Sequence, residues 1–323
     1  MADSLQNDIY HAAMFVFPSL GTVINLATVC AILLNKALRK EQHIFTFSLA
    51  LADCISAFAM FISNLFEFLE ISFQMEADPW IECLFMAGLV MSILSTLVIA
   101  FERLIILRID ALGSRRIVTA KRSITLCMVA WIILQAVYFL FCGFSKAASH
   151  TLLYFVSPCI VLASLFITAI CYILIYKQIA RISENVGLND AALQRRAKNS
   201  KKVLVTFALV VASTSACWAI MVLFLVVEYI YSLIVNNHQA QLEIHWSILF
   251  DIGDILVSIN GILNPVIIWL RLTDFRAQLR ASFERLGCRK SQSSSQVTSD
   301  PTTTVTNRSV STIDITMDDI EAN

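Results

Sequence analysis

Asp53 is the residue whose position most needs a chemical explanation. It stands in the run LALADCISAF, among apolar and small residues. A carboxylate in such a run is costly to desolvate, and it is tolerated where polar partners meet it or where it serves a function. Four side chains that could meet it stand at similar depth in other apolar runs: Asn25, Ser92, Asn260 and Asn264. A carboxylate with hydroxyl and amide oxygens forms a hard ligand set that suits a hard monovalent cation. The same groups could instead form a hydrogen-bonded network that only fixes helix packing.

Three other features carry chemistry. Glu102 and Arg103 are adjacent at the end of an apolar run, where the arginine could snorkel toward water or form an ion pair that breaks as a switch. Asn264-Pro265 interrupts another run, and proline removes a helix hydrogen bond, so a hinge is expected beside polar groups. Acids gather near one set of run ends: Glu67, Glu70, Glu76, Asp78, Glu82, Glu228, Glu243, Asp251 and Asp254. Such a cluster favours a cationic ligand or a divalent ion, with Asp78 and Glu82 four apart on one helix face; the alternative is a solvated acidic rim.

The elements that must position these residues follow from composition. The chain is 58% hydrophobic and 15% charged, with a mean hydropathy of +0.73. A water-soluble domain is less apolar and carries more charge, so lipid is the expected solvent. Seven stretches are long and apolar enough to cross a bilayer as helices, roughly 12–34, 44–69, 79–107, 122–142, 150–177, 202–231 and 243–270. The first is too long for a signal peptide. The expected fold is therefore an all-α seven-transmembrane helix bundle.

Lysine and arginine set the orientation. Of the 24 in the chain, all but Lys146 fall in connections on one side of the bundle or in the C-terminal part. That side is expected to be cytoplasmic, which places residues 1–11 outside as a short N-terminus. The bundle occupies 12–270. Residues 271–290 form a short amphipathic membrane-surface helix in which Leu272, Phe275, Leu279, Phe283 and Leu286 recur between arginines. Cys288 follows it, as a candidate lipidation site or a free thiol. The Ser/Thr-rich tail at 291–323 is expected to be disordered and cytoplasmic.

Several function classes lose support. Zero net charge gives no basic signal for nucleic acid. No Ser-Lys, paired-aspartate or histidine-rich zinc constellation marks an intramembrane enzyme. The absence of internal repeats weakens a transporter reading, although a seven-helix channel or transporter remains the alternative to a receptor. Eight of the nine cysteines lie in apolar runs and are expected to be small packing residues.

Taken in order, these residues resemble the rhodopsin-like (class A) G-protein-coupled receptors over about residues 12–288. The resemblance rests on Asn25; on Asp53 in LALAD; on Glu102-Arg103-Leu104, where the family has Asp-Arg-Tyr; on Trp131; on Cys217-Trp218; on Asn264-Pro265-Val266-Ile267-Ile268; and on Phe275-Arg276. It implies a plasma-membrane receptor that an outer ligand shifts between two states, opening a cytoplasmic cleft floored by Arg103 for a heterotrimeric G protein. It implies switch roles for Glu102, Arg103, Trp218, Asn264 and Pro265, and a sodium pocket of Asp53, Ser92, Asn260 and Asn264. A receptor kinase and arrestin would act on the tail.

Departures accompany the match. Ile268 and Leu104 replace the two tyrosines, Ile220 replaces the sixth-helix proline, and Ser200 stands where many relatives carry an acid. Asp78 occupies the position of the family's disulfide cysteine, and 143–149 contains no cysteine. No lysine in the seventh span could bind retinal, and Phe85 stands where amine receptors have aspartate. Asp78, Glu82, the short connection after the fourth span and RIVTAKR are similar to the melanocortin receptors, which implies calcium held by Asp78 and Glu82, although Ser63 replaces their second-helix glutamate. Adenosine, cannabinoid and lysophospholipid receptors are looser relatives. A cationic or peptide ligand is expected near Glu67, Asp78, Glu82, Phe85, Asp251 and Asp254.

Overall fold

An apolar run in lipid must satisfy its backbone hydrogen bonds within itself, so each of the runs closes into a helix. A computed structural model describes residues 2–69, 78–109, 118–185, 191–234, 247–278 and 280–281. The helices are α1 (Ala2–Leu34), α2 (Ile44–Phe68), α3 (Asp78–Ile109), α4 (Ala120–Phe144), α5 (Lys146–Thr151), α6 (Ser157–Asn185), α7 (Ala191–Ile234) and α8 (Ser247–Arg271). A π-helical turn at Leu152–Val156 joins α5 to α6, so Lys146–Arg181 is one span. Seven spans result, and no strand occurs among the described residues. The protein is an all-α bundle of membrane-crossing length.

Two boundaries differ from the sequence expectation. Helix α1 begins at Ala2, ten residues before the apolar run, because nothing between Ala2 and His11 breaks a helix. The connection after α4 shrinks to Ser145, which ends α4 and caps α5: its Oγ accepts from the Ala148 N–H at 3.0 Å. The surface helix expected at 271–290 is helical over 273–278, and Cys288 and the tail lie outside the described residues.

The helices close into a ring. α1 packs on α2 and α8, α2 on α3, α3 on α4 and α6, and α7 on α6 and α8. Two apolar cores fill it. One holds Phe45, Leu49, Ile99, Ile175, Ile268 and Phe275; the other holds Met86, Val90, Tyr138, Val161, Trp218 and Val257. Along α8 the buried polar residues Asn260 and Asn264 fall between Val257 of the second core and Ile268 of the first, and Asp53 and Ser92 are likewise buried on α2 and α3. Side-chain bonds tie neighbouring helices: Trp131 Nε1 donates to Ser48 Oγ at 3.1 Å, Trp269 Nε1 to Thr28 Oγ1 at 2.8 Å, and Thr214 Oγ1 to Asn260 Oδ1 at 2.9 Å. Each such bond contributes on the order of 1 kcal/mol within a bilayer.

The eight cysteines in apolar runs are not all packing residues. Cys83 on α3 and Cys142 on α4 form a disulfide, with Cα atoms 6.7 Å apart. They are 59 residues apart in sequence, so spacing gave no sign of the pair. The missing family disulfide at position 78 is thus accompanied by a different covalent tie at the same end of α3.

The α2–α3 crossing is the tightest described contact at a glycine. A Cβ added to Gly88 would lie 2.9 Å from Ser56 Cβ and 3.1 Å from the Ser56 backbone N. One added to Gly261 would meet nothing within 4 Å. Gly88→Val is therefore expected to lower the melting temperature of the purified chain, by an overpacking cost of about 1–3 kcal/mol. Gly261→Ala is expected to leave it unchanged or raise it. Equal melting curves for parent and Gly88→Val would contradict this close approach.

Candidate functional site

The bundle has an acidic end, where Glu82 and Asp254 stand, and a basic end, where Arg103 stands. A cavity of about 230 Å3 opens at the acidic end. Its apolar wall includes Met14, Met60, Met86 and Met221, flexible side chains that adapt to irregular shapes. Its polar groups include Glu82, Asp254, Tyr10 and Tyr154. No lysine, arginine or histidine lines it among the described residues. Trp218, 1% exposed, lies on its wall.

Local structure aims these groups. The π-turn inserts one extra residue per turn into the fifth span, and Leu153 and Tyr154 within it both reach the cavity. Ser157 fixes that turn: its Oγ donates to the Leu152 carbonyl at 2.7 Å and is hydrogen-bonded with Tyr138 Oη at 2.5 Å. Tyr10 comes from the early part of α1 and donates to Asp254 Oδ2 at 3.3 Å. Sequence reading missed Tyr10 and Tyr154, because a tyrosine at the edge of an apolar run is an ordinary interfacial residue.

The predicted acids distribute as follows. Asp254 is buried and Glu82 is exposed at the cavity. Asp251 is half-buried and acts on Asp254 electrostatically, as Glu82 does. Phe85 lines the cavity. The side chains of Glu67 and Asp78 lie outside the described residues, and with Asp78 the calcium pair. Among the described residues no three of His, Cys, Asp or Glu converge as metal ligands.

The mid-bundle group assembles around Asp53, which is 2% exposed. Asn264 Nδ2 donates to Asp53 Oδ2 at 2.9 Å, and the Ser92 side chain also hydrogen-bonds the carboxylate. Asn264 Oδ1 is buried with no hydrogen-bond partner among the described residues. Asn260 lines a void of about 20 Å3 beside Asp53, while its Oδ1 accepts from Thr214. That void is large enough for one water-sized occupant. Asn25 turns elsewhere: its Nδ2 donates to the Gly261 carbonyl at 2.7 Å and to Gly21 at 2.9 Å, tying α1 to α8. Pro265 is buried next to Asn264 inside the continuous helix α8.

At the basic end, Arg103 Nη2 lies 3.7 Å from Glu102 Oε2, so the adjacent pair does interact. Ile268 is 1% exposed and fills apolar core where the family has a tyrosine. Helix α7 runs 44 residues without a proline, and the side chain of Ser200 lies outside the described residues. Nearby, Asp274 accepts from Lys40 Nζ at 2.9 Å and pairs with His43 Nε2 at 3.1 Å. The His43 ring packs edge-on to Phe275, which also meets Trp269.

A family model described as the 7 transmembrane receptor (rhodopsin family) matches residues 24–268. The matched range holds Asp53, the Glu102-Arg103 pair, Trp218 and Asn264-Pro265.

The His43–Asp274 pair has a definite pH dependence. Burial lowers the pKa of His43 below its ordinary 6.5, and it outweighs the opposing hydrogen bond that His43 donates to Asp274. Burial alone would raise Asp274, but hydrogen bonds from Lys40 and His43 hold it below the usual carboxylate value. Both folded pKa values are depressed. Their contribution is therefore present above the unfolded values and is lost as pH falls through the folded ones. The melting temperature is expected to decline from pH 7 toward pH 5, and His43→Phe is expected to flatten that slope. Parallel pH profiles for the two proteins would contradict the assignment.

Proposed function

Because this chain belongs to the rhodopsin family of seven-transmembrane receptors, we propose that it converts binding of a cationic ligand at the acidic end into activation of a heterotrimeric G protein at the basic end. The observation that carries the ligand side is the cavity itself. It presents Glu82 and Asp254 in an apolar, methionine-rich wall with no basic lining residue among the described ones. In such low-dielectric surroundings the favoured complement is a positive charge.

The positive-inside bias places the acidic end outside the cell and the basic end in the cytoplasm. Arg103 then stands where a G-protein α-subunit would dock, held against Glu102 in the resting arrangement. Ligand binding shifts the bundle between two states only to the extent that it binds one of them better. The plasma membrane is the corresponding location. Phosphorylation of the Ser/Thr-rich tail by a receptor kinase adds the charge that would recruit arrestin.

The mid-bundle group fits a sodium ion. Asp53 supplies the charge, Ser92 and the buried, unpartnered Asn264 Oδ1 supply neutral oxygens, and the adjoining void has room. A bound cation would neutralise the buried carboxylate and thereby favour the closed packing. Asn264 and Ser92 hold Asp53 in place; Thr214 holds Asn260.

Two measurements test this reading. With the chain reconstituted in lipid nanodiscs, guanine-nucleotide exchange on purified G-protein heterotrimers is expected above the empty-nanodisc rate. Arg103→Ala is expected to reduce it by roughly tenfold, within the usual range of coupling free energies. Exchange unchanged by that substitution would remove Arg103 from the interface. Replacing NaCl with N-methylglucamine chloride at equal ionic strength is expected to lower the melting temperature of the parent chain and leave Asp53→Asn unmoved. A parent indifferent to sodium would eliminate the ion site.

A further inference from the structure

At the basic end the spans Ile9–Leu34 and Leu249–Arg271 stop, and Ile44–Phe66 starts. Residues 35–40 and 272–278 therefore begin where apolar helix gives way to headgroups and water. Two polar contacts lay these segments side by side in opposite directions. Asn35 Nδ2 donates to Gln278 Oε1, and Lys40 Nζ donates to Asp274 Oδ2 at 2.9 Å. Between the tethers the chain turns, with the Leu38 N–H bonded to the Asn35 carbonyl at 3.0 Å. The turn buries Leu38 completely, in the core that also holds Leu272 and Phe275.

The outward side of this clasp is basic. Lys36, Arg39, Arg271 and Arg276 are exposed, and none of them has an ion-pair partner among the described residues. The acids nearby are Glu41 and Asp274, and Asp274 is already engaged by Lys40 and His43. On the membrane side the surface turns apolar at once. Leu34, the residue before Asn35, is 78% exposed, and Leu270, the residue before Arg271, is 60% exposed. A soluble anion answers only the charged half of this surface, whereas an anionic phospholipid answers both halves. Several unpaired cations outmatch a headgroup with one net charge, so a headgroup with several phosphates is the better complement. Arginine adds to the preference, because its fork donates two parallel N–H bonds to one phosphate.

We propose that this clasp binds an anionic phospholipid with more than one headgroup phosphate. Lys36, Arg39 and Arg276 hold the headgroup, and the acyl chains run against Leu34 and Leu270. The bound headgroup joins the α1–α2 connection to the helix at 273–278, as a third tether beside Asn35–Gln278 and Lys40–Asp274. The proposal rests on the orientation given above only for the leaflet, which is then the cytoplasmic one, where anionic lipid gathers.

The test titrates the purified full chain in detergent with three probes and reads thermal stabilisation against concentration. The probes are dioctanoyl phosphatidylinositol 4,5-bisphosphate, dioctanoyl phosphatidylserine and free inositol 1,4,5-trisphosphate. The bisphosphate lipid is expected to stabilise at least tenfold more potently than either of the others. Lys36→Ala, Arg39→Ala and Arg276→Ala, all at exposed positions, are each expected to weaken it roughly fivefold, as the loss of one cation near the headgroups predicts. Lys177→Ala with Arg181→Ala removes exposed charge at the end of α6 and is expected to leave the potency unmoved. Equal potency of the free trisphosphate, or equal weakening by the α6 pair, would overturn the proposal. Clasp variants that keep full lipid potency but lower nucleotide exchange in phosphatidylcholine nanodiscs would assign these cations to the G protein instead. A chain that drives exchange without preferring the bisphosphate lipid would remove the lipid site and leave coupling standing. A chain that binds the lipid through the clasp without promoting exchange would support the site and count against coupling.

Discussion

The structure is organised around the need to satisfy one carboxylate in the middle of a membrane protein. Asp53 cannot reach water from its depth in α2, so other helices must bring polar atoms to it. Asn264 on α8 and Ser92 on α3 do so directly. That requirement fixes the rotation of three helices at once, because a helix turned by about 100° per residue would present an apolar side chain instead. The apolar residues pack as two separate clusters, and along α8 Asn260 and Asn264 stand between them.

The polar layer and the acidic-end cavity share walls. Met60, Phe85, Leu89 and Val257 line both the large cavity and the small void beside Asp53. An occupant that displaces any of the four alters the space next to the carboxylate. This gives a physical route from a surface event to the centre of the bundle through side chains in direct contact. Asn264, which bonds Asp53, is followed by Pro265 in α8, and Ile268 one turn later belongs to the basic-side core.

The departures from family pattern have local consequences. Replacing a tyrosine by Ile268 turns a polar position into buried apolar packing against Leu272 and Phe275. Helix α7 lacks the proline that would supply a fixed kink. The Cys83–Cys142 bond ties α3 to α4 one residue after Glu82 and three turns before Leu94, which anchors the cavity face of α3 covalently.

Local chemistry determined much of this protein. Seven apolar runs had to be seven helices, because lipid offers no partner for an open backbone. Their polar interruptions marked Asp53, Asn25, Ser92, Asn260 and Asn264 as a group, since each was too costly to face lipid alone. Adjacent residues such as Glu102 and Arg103 were legible for the same reason: their proximity is covalent. Contacts between helices were not legible. Asn25 shares the depth of Asp53, yet it bonds the Gly261 carbonyl, because helix rotation and not depth decides which backbone oxygen it meets. The Cys83–Cys142 pairing, the approach of Tyr10 to Asp254 and the turn of Tyr154 into the cavity depend on separations that no spacing encodes. Hydropathy fixes how deep a residue lies; only the packed bundle sets the angle at which it points and the neighbour it finds there.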